Sequence, residues 1–202
     1  MKPPVLWFAA ALVLLAGCST TSPPTHYHSL VAAVPPSGVG ARALPAPSLQ
    51  VVVLPVAVPA QVNVPQLVVR NADDSLSVLE YERWIGPLGD EIRDAVALRI
   101  EQALAQAAPA AQPAADQHIW RVRIDVERFD SMLGRAASVQ LQWSLRAAGG
   151  GPLLRCHASY EQPVGAGVNA LAAGHRALIE RLGDLIGQAL KTAAAGGTPS
   201  CG

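Results

Sequence analysis

A nucleophilic side chain stands near the start of the chain, at Cys18, directly after two small residues. A cysteine thiol is a nucleophile that can accept a lipid group. A peptidase that cuts just before the cysteine needs small side chains on its N-terminal side. Ala16 and Gly17 meet that need, and the branched apolar Leu15 precedes them. The spacing predicts a lipid-modification site at Cys18.

The segment before Cys18 has the form of an export signal. Lys2 is its only charge, and residues 5–17 form an apolar run. As a helix this run is about 20 Å long, too short to cross a hydrocarbon core of about 30 Å, and its length is typical of a signal peptide. With Leu15-Ala16-Gly17-Cys18 at its end, the segment resembles a bacterial lipobox. We therefore predict a signal peptide over residues 1–17; an ordinary signal peptide with a chance cysteine is the alternative.

The residues after Cys18 predict a tether and a location. Residues 18–25 are rich in Ser, Thr and Pro, which favours a short lipidated spacer. In Gram-negative lipoproteins an Asp after the cysteine tends to retain the protein at the inner membrane, whereas Ser19 resembles the set sorted to the outer membrane. We expect a membrane-anchored lipoprotein that faces the periplasm, at the outer membrane.

Composition limits the function classes. Removal of residues 1–17 leaves 185 residues, enough for one domain, with 14 basic against 15 acidic side chains. This balance gives no basic footprint for nucleic acid. The abundant Ala, Gly and Pro are interpreted as a genome bias.

Hydrophobic periodicity predicts an α+β fold, a largely antiparallel sheet with two long helices packed on one face. Four early strands are expected between His26 and Tyr81, then an amphipathic helix from about Pro87. Three alternating runs form an antiparallel meander, and a last helix follows. We predict a single domain over residues 26–192 and a flexible tail over 193–202. The outward positions of the meander are Arg121, Arg123, Asp125, Glu127, Gln140, Gln142, Ser144, Arg146, Arg155, His157, Ser159 and Glu161.

No catalytic, cofactor or metal site is predicted. Residues 165–170, GAGVNA, fit a loose glycine pattern, but a dinucleotide site would need a further parallel strand, and the chain ends after one helix. His26 and His28 could share a strand face as metal ligands, yet no third ligand is near. His175 is expected in the core, and His157 on the wet face.

Two cysteines remain once Cys18 is lipidated. The periplasm permits a disulfide between Cys156 and Cys201. Cys156 falls on the apolar side of a strand and Cys201 in the small-residue tail. A buried free thiol and a free tail cysteine are the favoured interpretation over a bridge.

Several blocks of the chain resemble the PqiC-like family of ABC-type transport auxiliary lipoproteins. Residues 27–30, YHSL, match a Tyr-containing first strand; residues 62–70, VNVPQLVVR, match a Pro-Gln block; residues 83–88, RWIGPL, match an Arg-Trp block; and the last helix fits as well. The chain departs from the family at Asn63-Val64, where Asp-Arg is usual, and at Gly86, where an acid is usual.

The resemblance implies a non-enzymatic, membrane-anchored part of a lipid transport system between the inner and outer membranes that contributes to membrane integrity. Its partners would be an MCE-domain protein that spans the periplasm and the associated ABC transporter; self-association stays open. The implied docking residues are Pro65, Gln66, Arg70, Arg83 and Trp84; their alternative role is to shape a turn and fill the core. Other classes are a binding or assembly lipoprotein unrelated to lipid transport, and a hydrolase, for which no motif is present.

Overall fold

The computed structural model describes residues 22–33, 49–105 and 119–201. Within them the chain forms the predicted order of four strands, a helix, three strands and a helix. The strands are β1 (His26–His28), β2 (Gln50–Val53), β3 (Gln66–Arg70), β4 (Leu76–Trp84), β5 (Ile119–Met132), β6 (Ala136–Ala147) and β7 (Leu154–Pro163). The helices are α1 (Leu88–Ala105) and α2 (Val168–Ala194), and a short 3-10 turn spans Ala60–Val62.

The strands divide between two sheets. The larger sheet has the order β2-β5-β6-β7, and the smaller one has the order β1-β4-β3. β1 pairs with β4 and β2 with β5 in parallel, while the other pairs are antiparallel. The predicted α+β class and the meander are confirmed.

The single expected sheet is replaced by two, because β1, β4 and β3 form backbone pairs with one another and not with the strands of the larger sheet. β3 lies beside β5 but meets it through side chains, with Arg70 bonded to Asp130. Alternation of apolar residues predicts that a strand is half-buried, but not which strand it pairs with.

The core lies between the larger sheet and both helices. α2 packs on β6 and β7, and α1 packs on α2 and β2. The four helix positions expected in the core, Ile92, Val96, Leu178 and Leu182, are all buried. They belong to the same hydrophobic core as the buried sheet residues Val122, Ile124, Val139, Leu141 and Trp143.

The two helices approach closely where α2 carries glycine. A methyl group added at Gly183 would lie 2.6 Å from Cβ of Arg99, and one added at Gly187 would lie 2.9 Å from Cβ of Ala103. Arg99 then crosses to α2, where Nε and Nη2 donate to the two carboxylate oxygens of Asp184 at 2.8 and 3.0 Å.

The interpretation of two free thiols is wrong, because Cys156 and Cys201 form a disulfide. Cys156 is buried on the helix side of β7, and the bond joins residues 45 apart in sequence. α2 itself continues to Ala194, past the predicted domain end at residue 192. The segment expected to be a flexible tail is therefore joined near its C-terminal end, at Cys201, to the edge strand β7.

Candidate functional site

Three of the sequence-predicted docking residues come together at one end of the smaller sheet. Arg83 on β4 pairs with Tyr27 on β1 and with Gln66 on β3. Directly paired residues share a face of a sheet, so the side chains of Tyr27, Arg83 and Gln66 form a row across β1, β4 and β3. Tyr27 is 59% exposed, Ile85 continues the row at 61%, and Pro65 next to Gln66 is also exposed. We call Tyr27, Pro65, Gln66, Arg83 and Ile85 the outer row.

Local hydrogen bonds fix the outer row. The backbone N–H of Ile85 donates to the carbonyl of His28 at 2.8 Å, and that of Trp84 donates to the carbonyl of Pro65 at 3.0 Å. Nε of Arg83 is covered and has no hydrogen-bond partner among the described residues. The donors of Arg83 that a partner can reach are therefore those of its two Nη groups, which form no hydrogen bond with another described residue.

Arg70 lies at the opposite end of β3 and does not join the outer row. Its Nε and Nη2 donate to Oδ1 of Asp130 at 3.0 and 2.8 Å, while Arg128 donates to Oδ2. Burial alone would raise the pKa of Asp130, but the hydrogen bonds from Arg70 and Arg128 outweigh it, so this pKa lies below its usual range. Arg70 therefore holds the two sheets together, and its geometry does not fit a docking role.

Trp84 points the other way, into the core, and is 4% exposed. Its ring meets Phe129 edge-on at 6.2 Å and His175 at 6.3 Å between centroids. Phe129 and His175 stack at 3.9 Å. The docking role predicted for Trp84 is not available in this arrangement, because a partner cannot reach the side chain; the alternative, a tryptophan that fills the core, describes the geometry.

His175 is fully buried and neutral. Burial lowers the pKa of His175 to about 3, and the charge of Asp130 opposes this only in part. The single bond of its Nε2 is to Oγ of Ser131 at 2.7 Å, and Nδ1 has no partner among the described residues.

We expect acid to destabilise the domain through His175. Its folded-state pKa lies below the unfolded value of about 6.5, so the unfolded chain binds the proton more readily and stability falls as pH drops from about 6.5 toward 3. Between pH 7 and pH 5 this group alone should remove about 2 kcal/mol. The variant His175→Gln can keep the bond to Ser131 and does not titrate. Urea unfolding at both pH values is the measurement, and an equal loss in both proteins would contradict this assignment.

His26 and His28 hold a carboxylate. Nδ1 of His26 lies 3.0 Å from Oε1 of Glu82, and Nε2 of His28 lies 2.6 Å from Oε2. Burial alone would raise the pKa of Glu82, but the hydrogen bonds from His28 and His26 have the larger effect. The pKa of Glu82 therefore lies below its usual value. Across residues 22–33, 49–105 and 119–201 no group of three or more His, Cys, Asp or Glu could hold a metal ion. The cluster instead ties β1 to β4.

Cys18 lies outside the described residues. Within the described part of the chain, no helix is long and apolar enough to cross a membrane.

The sequence did not predict the exposure of Tyr27 and Ile85. Both look like ordinary strand residues until the pairing of β1 with β4 is known.

Residues 28–187 match the family described as "ABC-type transport auxiliary lipoprotein component". The match covers most of the chain, so the chain belongs to this family of auxiliary lipoproteins of ABC-type transport systems. This is not a known enzyme family. No curated protein matches the sequence.

Solved structures support the fold. The crystal structure of an uncharacterized protein is 16% identical, with a TM-score of 0.64 over 83% of this chain and 99% of that chain. Protein XCC0632 from Xanthomonas campestris, of the DUF330 family, is 21% identical, with a TM-score of 0.59 over 84% of this chain and 96% of the other. At these identities the similarity concerns the fold alone.

Proposed function

We propose that the protein is a lipid-anchored periplasmic accessory of an ABC-type lipid transport system, with an MCE-domain protein as its partner and the outer membrane as its site. The family match over residues 28–187 carries this proposal. The lipobox-like segment ending at Cys18 supports an anchor, and Ser19 supports the outer membrane. A role in membrane integrity would follow from supplying or removing lipid.

The domain acts by holding its partner, and the outer row is its contact surface. Exposed Tyr27 and Ile85 supply apolar area, and Arg83 supplies hydrogen bonds beside them. Aromatic residues and arginine are enriched among interface residues that dominate binding. A lipid anchor raises the effective concentration of such a contact without adding new ones, so a modest surface suffices.

The anchor gives the first prediction for this function. We expect labelled palmitate to enter the wild-type protein in cells, and not the variant Cys18→Ser. The variant should also keep the mass of the uncleaved precursor, because cleavage depends on the modified cysteine. Equal labelling of both proteins would contradict the lipoprotein assignment.

Capture of the partner gives the second prediction. The mature lipoprotein in detergent should retain the purified MCE-domain protein encoded with the same transport system. The double variant Tyr27→Ser, Ile85→Ser should weaken capture at least tenfold, with little change in melting temperature because both side chains are exposed. Leu153→Ser, an exposed apolar residue before β7, serves as the matched control. The transport assignment is wrong if the wild type retains nothing; the contact surface is wrong if both variants bind as the wild type does.

A further inference from the structure

Four arginines gather at one end of the exposed face of the larger sheet. Arg121 on β5 stands directly opposite Arg146 on β6. Arg123 and Arg155 both stand opposite Ser144, one on each side of it, and so are diagonal neighbours of Arg146. All four are exposed. We call Arg121, Arg123, Arg146 and Arg155 the arginine cluster.

The arginine cluster carries uncompensated charge. Like charges directly opposite each other on a sheet are destabilising. Arg123 donates to both oxygens of Asp125 at 2.8 and 3.0 Å. No carboxylate of the described residues forms an ion pair with any of the other three. The whole chain has a formal net charge of zero, so the excess is local.

The cluster is shaped for a broad surface. Adjacent strands are about 4.8 Å apart, so Arg123, Ser144 and Arg155 span about 10 Å across three strands. Arg121 and Arg146 add a second row about 7 Å along the strands. The neighbouring outward residues Gln142 and Ser144 are polar, and a flat face of this kind offers many donors without enclosing a small anion.

We propose that the arginine cluster docks an acidic surface of a protein partner of the transport system; this inference rests on the proposed function. Planar guanidinium groups bind carboxylates in a bidentate manner and lose less hydration than ammonium groups. Complementary charge steers association and suppresses wrong partners. An acidic partner would also relieve the repulsion between Arg121 and Arg146.

The position of the cluster favours a protein over the anchoring membrane. The tether enters at β1, and β1 lies with β4 beside Phe129, at the far end of β5 from Arg121. Eight residues of β5 separate these ends by about 26 Å. Only eight residues of sequence separate Cys18 from His26, and a random chain of that length has an average end-to-end distance of about 16 Å. The arginine cluster therefore lies at the end of the domain farther from the anchor, where a protein partner in the periplasm can reach it.

The test compares single variants of the mature, full-length lipoprotein in detergent, with the purified MCE-domain protein as the probe. Arg146→Gln should raise the dissociation constant about tenfold at low salt. The difference should shrink at high salt, because salt screens exposed charges. Arg146→Gln should leave the melting temperature unchanged or raise it, because it removes repulsion. Arg135→Gln, an exposed arginine in the turn at the other end of β6, makes the same charge change and should bind as the wild type does.

Other outcomes overturn the inference. If Arg146→Gln and the wild type bind equally well, the arginine cluster is not the docking surface, while the proposed function survives. If the wild type does not bind at all, both fall together. If unlipidated protein of residues 19–202, which lacks the signal peptide, binds vesicles of phosphatidylethanolamine and phosphatidylglycerol, and Arg146→Gln abolishes this, the cluster contacts membrane instead. If Arg146→Gln lowers the mass measured by light scattering, the cluster joins copies of the chain.

Discussion

Trp84→Ala should lower the free energy of unfolding by about 3–5 kcal/mol, the range for a large aromatic residue removed from a core. The side chain is 4% exposed and meets the stacked pair Phe129 and His175 edge-on. Edge-on aromatic pairs add about 0.5–1.5 kcal/mol beyond the area they bury. Chemical denaturation at pH 7 is the measurement.

The control for this substitution is the next residue. Ile85 is 61% exposed, so Ile85→Ala should change the free energy of unfolding by no more than about 0.5 kcal/mol. A loss below about 1 kcal/mol in Trp84→Ala would mean that the ring is not packed as described. The docking role that sequence analysis gave to Trp84 would then be open again.

Loss of the disulfide should have an effect of similar size. Closing a loop of 45 residues restricts the unfolded chain, and the chain-entropy relation gives about 4 kcal/mol for this length. Cys201→Ser removes the bond at its exposed end and leaves the buried Cys156 in place. Thermal unfolding under oxidising conditions should therefore show a clearly lower melting temperature for the variant.

Reduction supplies the internal comparison. Wild-type protein treated with dithiothreitol should unfold at the temperature of Cys201→Ser, and the variant itself should not respond to the reagent. If the reagent leaves the wild-type melting temperature unchanged, the bond is absent or carries no stability. If the bond is absent, the two thiols are free, as sequence analysis favoured.

The sequence was most informative where local pattern decides structure. Strict alternation at Val139, Leu141 and Trp143 predicted β6 and its buried face, and four-residue spacing at Ile92 and Val96 predicted α1. Both predictions follow from the geometry of a single strand or helix, and packing against the rest of the chain does not change that geometry.

The sequence was least informative where distant residues meet. The partner of Arg70 is Asp130, 60 residues away, and no local pattern connects them. Strand alternation alone puts Arg83 and Trp84 on opposite faces of β4, but which of the two faces is buried depends on what packs against the smaller sheet. The arginine cluster was visible as outward positions, but only strand register sets Arg121 against Arg146.

The glycines of α2 invert an ordinary rule of helix stability. In an exposed helix interior, replacing glycine with alanine is favourable by roughly 0.5–1 kcal/mol. At Gly183 the added methyl would press against the first carbon of the Arg99 side chain, which cannot swing aside as the end of a flexible chain can. The small residues that look like a compositional bias therefore set the distance between α1 and α2. Replacing the glycines of α2 with alanine in order to raise the stability of the protein would therefore push α1 and α2 apart.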